Sequence, residues 1–96
     1  MGIKLKIRFS KSSVKFLDKV NKNKEEKIRQ MLKKLFTSIK DGLIPIKELK
    51  IKKLEGKWKG YYRMRTNGIR IIYRVDKENK EIFVYEIDYR GGAYSK

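Results

Sequence analysis

Three segments in the last third of the chain constrain its fold more than any other feature of the sequence. They are Tyr61–Arg65, Ile69–Val75 and Glu81–Arg90, and side-chain character alternates along each of them. A period of two residues is typical of a strand with one buried face. Asn67-Gly68 joins the first two segments and is a strong signal for a two-residue type I′ hairpin. The pattern therefore predicts an antiparallel meander of three strands.

The N-terminal part of the chain predicts one more strand and a short helix. In Ile3–Phe9, apolar residues alternate with lysine or arginine, which favours a strand. Ser10 follows as a suitable N-cap, because its hydroxyl can accept a hydrogen bond from a backbone N–H in the first helical turn. The helix is expected to face the core with an apolar stripe of Val14, Leu17 and Val20, and Phe16 flanks this stripe.

A second helix is predicted by the longest amphipathic pattern in the chain. Asn23, with Glu26 three residues later, resembles a capping box at its start. Gly42 suits the C′ position at its end, where the backbone is often left-handed. Glu25 and Glu26 interrupt the positive charge of its polar side, so we interpret that side as a solvated face. The apolar residues recur at helical spacing: Ile28, Met31, Leu32, Leu35, Phe36 and Ile39.

A weaker strand is predicted within Lys47–Leu54, where Leu49 and Ile51 alternate with polar residues. The predicted order is strand, two helices and four strands. This order indicates an α+β fold in which a two-helix hairpin packs on a mainly antiparallel sheet of four to five strands. A chain of 96 residues supports one core and not two, so residues 1–96 are expected to form a single domain.

Strand alternation divides the meander into two faces. In the third strand we expect Phe83, Tyr85, Ile87 and Tyr89 to face the helices. The opposite face would hold five of the seven arginines in the chain, with two carboxylates among them. These residues are Arg63, Arg65, Arg70, Arg74 and Arg90, with Glu86 and Asp88. Arginine presents a planar fork that matches phosphate, so the face is interpreted as a phosphate-binding surface. The alternative is an ordinary solvated face on which arginine replaces lysine.

The charge of the chain points to a polyanionic partner. Lys and Arg number 27 against 11 Asp and Glu, which gives a net charge of +16. Nucleic acid, an acidic protein and an anionic membrane are the classes of partner that this charge favours, while a surface selected for solubility is the alternative. The sequence has no cysteine and no histidine, so disulfides, imidazole catalysis and ordinary zinc sites are excluded. No segment is typical of a signal peptide or a membrane span, and a cytoplasmic protein is expected.

The chain resembles the RelE/ParE superfamily of toxins from bacterial and archaeal toxin–antitoxin pairs. The resemblance extends over essentially the whole chain and follows the helical pair. Its most specific parts are a YRxR-x-x-G-x-RIIY run and a closing R-x-x-x-Y. The residues that carry it are Lys53-Leu54-Glu55-Gly56, Tyr62-Arg63-Met64-Arg65, Asn67-Gly68-Ile69-Arg70-Ile71-Ile72-Tyr73 and Arg90-Gly91-Gly92-Ala93-Tyr94.

The RelE branch of this superfamily cuts mRNA in the ribosomal A site without a metal and is held inactive by a bound antitoxin. The resemblance therefore implies an endoribonuclease with no cofactor, whose partners are mRNA on the ribosome and a cognate acidic antitoxin similar to RelB. By motif position, the catalytic residues would be Arg63, Arg65, Arg70, Arg90 and Tyr94. Further RNA-binding residues are expected to be Arg74, Lys53, Lys57, Trp58 and Lys59, although Trp58 is equally suited to packing.

Two points stay open at the level of the sequence. Arginine remains protonated at neutral pH, so the general base is not evident. Arg65, Tyr94, Glu86, the substrate and the ribosome are the alternatives. The second point is the activity itself, because the ParE branch shares the scaffold but inhibits DNA gyrase by binding. A basic RNA-binding module without catalysis is a third interpretation.

Overall fold

A strand, two helices and four further strands follow one another along the chain. The computed structural model describes residues 6–42, 49–66, 68–76 and 78–89. The helices are α1 and α2, and a short 3-10 turn, Gly56–Trp58, follows the second strand. The bounds are β1 Lys6–Phe9, α1 Lys11–Lys19, α2 Lys22–Lys40, β2 Lys52–Lys53, β3 Tyr62–Thr66, β4 Ile69–Asp76 and β5 Glu81–Tyr89. The predicted α+β fold is confirmed.

The five strands form one mixed sheet in the order β1-β5-β4-β3-β2. β1 runs parallel to β5, and the other neighbours are antiparallel, as the predicted meander requires. Thr66 pairs with Ile69, so two residues connect β3 to β4, and Gly68 has the positive φ of +78° that such a turn demands. β2 is shorter than predicted. Lys50 has a φ of +52°, which interrupts the extended backbone before Ile51.

A β-bulge in β5 makes one part of the predicted face assignment wrong. Ile72 of β4 pairs with Glu86, whereas the next residue, Tyr73, pairs with Val84. Tyr85 is thus an extra residue that shifts the alternation by one position. Ile82 and Val84 are consequently buried beneath the helices, where Phe83 and Tyr85 had been expected. Phe83 and Tyr85 lie on the opposite face, together with Glu86 and Asp88.

Helix α1 begins as predicted but faces the sheet with different residues. The Ser10 side chain accepts a hydrogen bond from Ser13 N, which confirms the N-cap. Leu17 is buried as predicted, whereas Val14 is 45% exposed and Ser13 is buried in its place, so the predicted stripe is wrong at Val14. Ser13 can be buried because its hydroxyl donates a 3.2 Å hydrogen bond to the carbonyl oxygen of Val84.

Helix α2 confirms the predicted amphipathic pattern, but its N-cap lies two residues earlier than predicted. Asn21, and not Asn23, accepts a 2.9 Å hydrogen bond from Lys24 N and caps the helix. Gly42 has a φ of +79°, and its N–H donates to Ile39 O, as expected for a C′ glycine. Four of the predicted inward residues are buried and two are partly buried: Ile28, Met31, Leu32 and Leu35, then Phe36 and Ile39.

Both helices pack on the same side of the sheet. Their apolar residues form one core cluster with the sheet residues Met64, Ile69, Ile71, Tyr73, Ile82, Val84 and Ile87. Burial raises the pKa of the Tyr73 phenol well above its usual range, and the nearby Tyr62 raises it further. None of the described helices is long and apolar enough to cross a membrane.

Candidate functional site: an arginine face on the sheet

The side of the sheet that faces away from the helices carries the predicted arginines. Met64 and Ile71 are fully buried in the core, so their strand neighbours point to the opposite side. The fold thus brings together four of the predicted residues, Arg63, Arg65, Arg70 and Arg74, and we call this side of the sheet the arginine face. Arg90 and Tyr94 lie outside the described residues, and their part in the site stays a prediction.

Strand register arranges the arginine face in rows that run across the sheet. The first row is Arg65, Arg70 and Asp88, because Arg65 pairs with Arg70 and Arg70 with Asp88. The second row is Lys52, Arg63, Ile72 and Glu86. Residues directly opposite each other on one face have Cβ atoms about 5 Å apart. Each row therefore places a carboxylate at one end and at least one arginine within the sheet.

These arginines are held close to the sheet surface. Arg70 is only 7% exposed, and Arg63, Arg65 and Arg74 are half-buried. The Nε atoms of Arg65 and Arg74 are buried and make no hydrogen bond within the described part of the chain. A buried donor left without an acceptor is unfavourable by about 1–3 kcal/mol. An anionic ligand with several oxygen atoms would supply acceptors to both.

A third row contains an arginine that the sequence-based prediction had not included. Arg8 of β1 pairs with Phe83, which pairs with Arg74 on its other side. The guanidinium carbon atoms lie 5.1 Å (Arg8) and 5.5 Å (Arg74) from the centre of the Phe83 ring. These distances are typical of cation–π contacts. Arg8 also forms a 3.3 Å ion pair with Glu81.

Aromatic side chains adjoin the third row, with Tyr85 lying in the bulge between this row and the second. The Tyr85 ring centre lies 5.2 Å from Trp58, 5.7 Å from Tyr61 and 6.3 Å from Phe83, in edge-to-face geometry. Trp58 also meets Tyr61 at 5.6 Å. We call these four residues the aromatic cluster. Trp58 was predicted to bind RNA, whereas Tyr85 and Phe83 were expected on the helix side, because strict alternation cannot reveal a bulge.

The predicted RNA-binding lysines occupy different positions around this face. Lys52, and not Lys53, lies directly opposite Arg63, whereas Lys53 lies opposite Tyr62 and so on the helix side of the edge strand. Lys57 and Lys59 are exposed on either side of Trp58. Their role in binding RNA stays a prediction.

A cleft of about 490 Å³ lies between α1 and the end of β5. Its aromatic wall is formed by Phe16 and Tyr89, whose ring centres are 5.2 Å apart, and Lys24 lies over the Tyr89 ring at 5.0 Å. The other lining residues are Ser12, Lys15, Lys19, Val20, Glu86, Ile87 and Asp88. Within the described residues, no group of three or more acidic side chains is arranged to hold a metal ion.

Comparisons with known proteins identify the class to which this fold and basic face belong. The model of a family described as the ParE toxin of the type II toxin–antitoxin system parDE matches residues 7–94. The match covers most of the chain, and the chain therefore belongs to this family. It is a toxin of the RelE/ParE superfamily, as its sequence motifs had indicated. The comparison with curated proteins gave no match.

Solved structures share the whole architecture. RelE in the archaeal RelE–RelB complex of Pyrococcus horikoshii is 26% identical, with a TM-score of 0.73, over 95% of this chain and 100% of that one. The YoeB–YefM complex of Staphylococcus aureus matches at 26% identity and a TM-score of 0.69, over 92% of this chain and 99% of that chain. The isolated RelE toxin of Escherichia coli shares the fold at 22% identity and a TM-score of 0.69, over 96% and 93% of the two chains.

Proposed function

We propose that this toxin is an endoribonuclease that cuts mRNA on the ribosome without a metal ion. The observation that carries the proposal is the gathering of four arginines from β3 and β4 on the side of the sheet away from the helices. The likeness to an archaeal RelE supports the proposal, because the sequence resemblance to the RelE branch implies mRNA cleavage.

The chemistry of RNA cleavage suits an array of fixed cations. The 2′-oxygen loses its proton and attacks the adjacent phosphorus atom, and the bond to the 5′-oxygen breaks. The 5′-oxygen takes up a proton from water, so that a 2′,3′-cyclic phosphate and a 5′-hydroxyl result. Negative charge accumulates on the pentacoordinate phosphate, and preorganised donors stabilise it more than they stabilise the substrate. Arg63 and Arg70 would clamp the scissile phosphate. Arg90 would offset charge on the leaving oxygen, and Tyr94 would orient a base.

The proton of the 2′-hydroxyl needs an acceptor that is not an arginine. Glu86 is the carboxylate at the end of the row that contains Arg63, so it is the described residue best situated for this role. Glu86 lies on the arginine face, as strict alternation had predicted, and pairs with Ile72 directly beside the bulge at Tyr85. The RNA itself or the ribosome would otherwise supply the acceptor.

The proposed inhibitor of the toxin is a cognate acidic antitoxin. The related archaeal RelE and staphylococcal YoeB were solved as complexes with RelB and YefM. A net charge of +16 makes an acidic protein the complementary partner for this chain.

A second candidate function is inhibition of DNA gyrase by binding, without cleavage. The description of the matching family, which names the ParE toxin, favours it. On this alternative the arginines would contact gyrase or its DNA, and no chemical step would depend on them.

Primer extension on mRNA, with and without ribosomes, tests the proposal. We expect new 5′ ends only when ribosomes are present. Arg63→Ala and Arg65→Ala should each lower the cleavage rate by roughly 100- to 1000-fold, as for the loss of one transition-state donor. Arg29→Ala is a matched control, because Arg29 is exposed on α2 and its removal changes the net charge equally.

The same protein is then added to a gyrase supercoiling assay. If the protein inhibits supercoiling but cuts no mRNA on ribosomes, its function is gyrase inhibition and not RNA cleavage. An equal loss of cleavage in Arg29→Ala and Arg65→Ala would show that overall charge, and not the arginine face, governs the activity.

A further inference from the structure

The aromatic cluster has a free surface in its centre. Tyr85 contacts the other three rings of the cluster by their edges, yet 38% of Tyr85 remains exposed. Trp58 and Tyr61 are half-buried against it. The edge contacts fix the orientation of the Tyr85 ring, so that an incoming planar group would meet an ordered aromatic surface.

Cations border this surface where the cluster meets the third row of the arginine face. Arg8 and Arg74 both lie over the Phe83 ring, which restricts their orientation. Glu81 partly neutralises Arg8 at 3.3 Å, whereas Arg74 has no ion pair within the described residues. Asp76, which is hydrogen-bonded to Asn79, is the acidic neighbour of Arg74. Lys57 and Lys59 add positive charge on the side of Trp58.

The distance from the cluster to the proposed cleavage residues suits a short nucleic-acid strand. Arg74 is two residues from Ile72 and four from Arg70 along β4, which corresponds to roughly 7 Å and 13 Å. The three rows therefore offer a continuous line of cations that leads from the aromatic cluster to Arg70. A phosphate backbone of a few nucleotides can follow that line.

We propose that the aromatic cluster, centred on Tyr85, is a subsite that stacks an unpaired RNA base and thereby positions the strand along the arginine rows. This inference rests on the proposed ribonuclease function and extends it to Tyr85, Phe83 and Arg8, which no family motif singled out. Aromatic rings bordered by arginines are how proteins bind single-stranded nucleic acid, since bases stack while phosphates meet the cations. An acidic peptide would match the charges but has no planar bases to stack.

A simpler role for the cluster is to cover a part of the sheet on which neither described helix packs. That role accounts for the contacts between Trp58, Tyr61 and Phe83. It does not require the Tyr85 ring to be exposed, and it does not require a cation at its border. The two roles differ in what they predict for base binding, which can be measured directly.

The experiment uses the full chain and an RNA that cannot be cleaved. The probe is a fluorescein-labelled hexamer of 2′-O-methyl adenosine, in which the attacking oxygen is blocked. A hexamer with the same phosphates but abasic sugars is the matched ligand. Affinities are measured by anisotropy at about 100 mM salt, because phosphate contacts depend strongly on salt. Trp58 is the only tryptophan of the chain, so its fluorescence reports on the cluster itself.

The expected result is that the abasic hexamer binds roughly tenfold more weakly or worse, the loss of at least one stacked base. The adenosine hexamer should change the fluorescence of Trp58, and the abasic hexamer should not. Tyr85→Ala should weaken binding of the adenosine hexamer about as much as removing the bases does, whereas Tyr85→Phe should retain it. Tyr89→Ala is the control, because Tyr89 is similarly exposed at 47% but contacts Phe16 on the helix side.

Equal affinity for both hexamers, or no effect of Tyr85→Ala in a variant with native circular dichroism, would overturn the inference. So would a hexamer of glutamate that binds as tightly as RNA and depends equally on Tyr85, since the surface would then be a peptide site. If base-dependent binding occurs but mRNA is never cut, the proposed ribonuclease fails and the subsite remains. If mRNA is cut but Tyr85→Ala binds and cuts normally, only the subsite fails.

Discussion

The hydroxyl oxygen of Ser10 lies 2.6 Å from the carbonyl oxygen of Tyr85 and donates a hydrogen bond to it. The same oxygen accepts from Ser13 N and so caps helix α1. Tyr85 is the extra residue of the bulge, whose backbone lies outside the regular pairing with β4. The Ser10 hydroxyl therefore caps the first helix and also satisfies the backbone carbonyl of the bulge residue, Tyr85, whose side chain lies on the arginine face.

Replacement of Ser10 should destabilise the protein more than its exposure suggests. Ser10→Ala removes a helix cap and a long-range hydrogen bond, so the free energy of unfolding should fall by about 2 kcal/mol. Ser12→Ala is the matched control, because the Ser12 hydroxyl is 3.5 Å from the same carbonyl and caps nothing. Urea denaturation of both variants measures the difference. Similar losses in the two would contradict the dual role of Ser10.

The start of helix α2 can be tested with two asparagines that differ by two positions. Asn21→Ala should lower the free energy of unfolding by about 1 kcal/mol, because the side chain of Asn21 caps the helix through Lys24 N. Asn23→Ala, within the first turn, should have little effect or stabilise slightly, since alanine is the better helix former. Thermal unfolding distinguishes the variants. A larger loss of stability for Asn23→Ala than for Asn21→Ala would identify Asn23 as the N-cap.

The raised pKa of Tyr73 predicts that the protein loses stability at alkaline pH. Burial raises its pKa in the folded protein, whereas the unfolded chain loses the proton near the ordinary value of 10.0. The folded state then binds the proton more tightly, so this contribution to stability is intact below about pH 10 and declines as the pH rises beyond it. Tyr73→Phe removes the contribution. Urea denaturation at about pH 8 and about pH 11 should show a smaller decrease for the variant than for the native chain. An equal decrease in both would mean that Tyr73 titrates normally.

The interaction with an acidic antitoxin should depend on salt. With a net charge of +16, much of the association rate should come from electrostatic attraction. Titration calorimetry at about 50 mM and about 500 mM salt should show weaker binding at the higher concentration. The reason is that salt shortens the Debye length and so screens the attraction between exposed charges of the two proteins. Affinity that is independent of salt would assign the interface to apolar contacts instead.

The order of the elements and the arginine face were predictable because both depend on periodicity. Arg63, Arg65, Arg70 and Arg74 lie on β3 and β4, whose pairing is regular and whose turn is fixed by two residues. The bulge at Tyr85 was not predictable, because it has no glycine and depends on Ser10, which is 75 residues away. Because one extra residue reverses the alternation, a strict period of two assigns Phe83 to the wrong face of the sheet.

Other differences have equally local causes. Ser13 replaces Val14 as an inward residue because the Val84 carbonyl satisfies its hydroxyl, a contact that requires β5 to be in place. Arg8 joins the arginine face through the parallel pairing of β1 with β5, which connects the two ends of the described chain. Periodicity within a segment contains no information about such partners.

The strand order has a consequence for the biosynthesis of this toxin. β5 is the last described strand to be synthesised, yet it lies between β1 and β4 and supplies the neighbours of both. A nascent chain that has emerged only as far as β4 can form the hairpin of β3 and β4, but β1 has no strand to pair with. Such long-range pairing is slow relative to local contacts. The third row and the aromatic cluster therefore cannot assemble until translation of β5 is complete, and a truncated product would lack both.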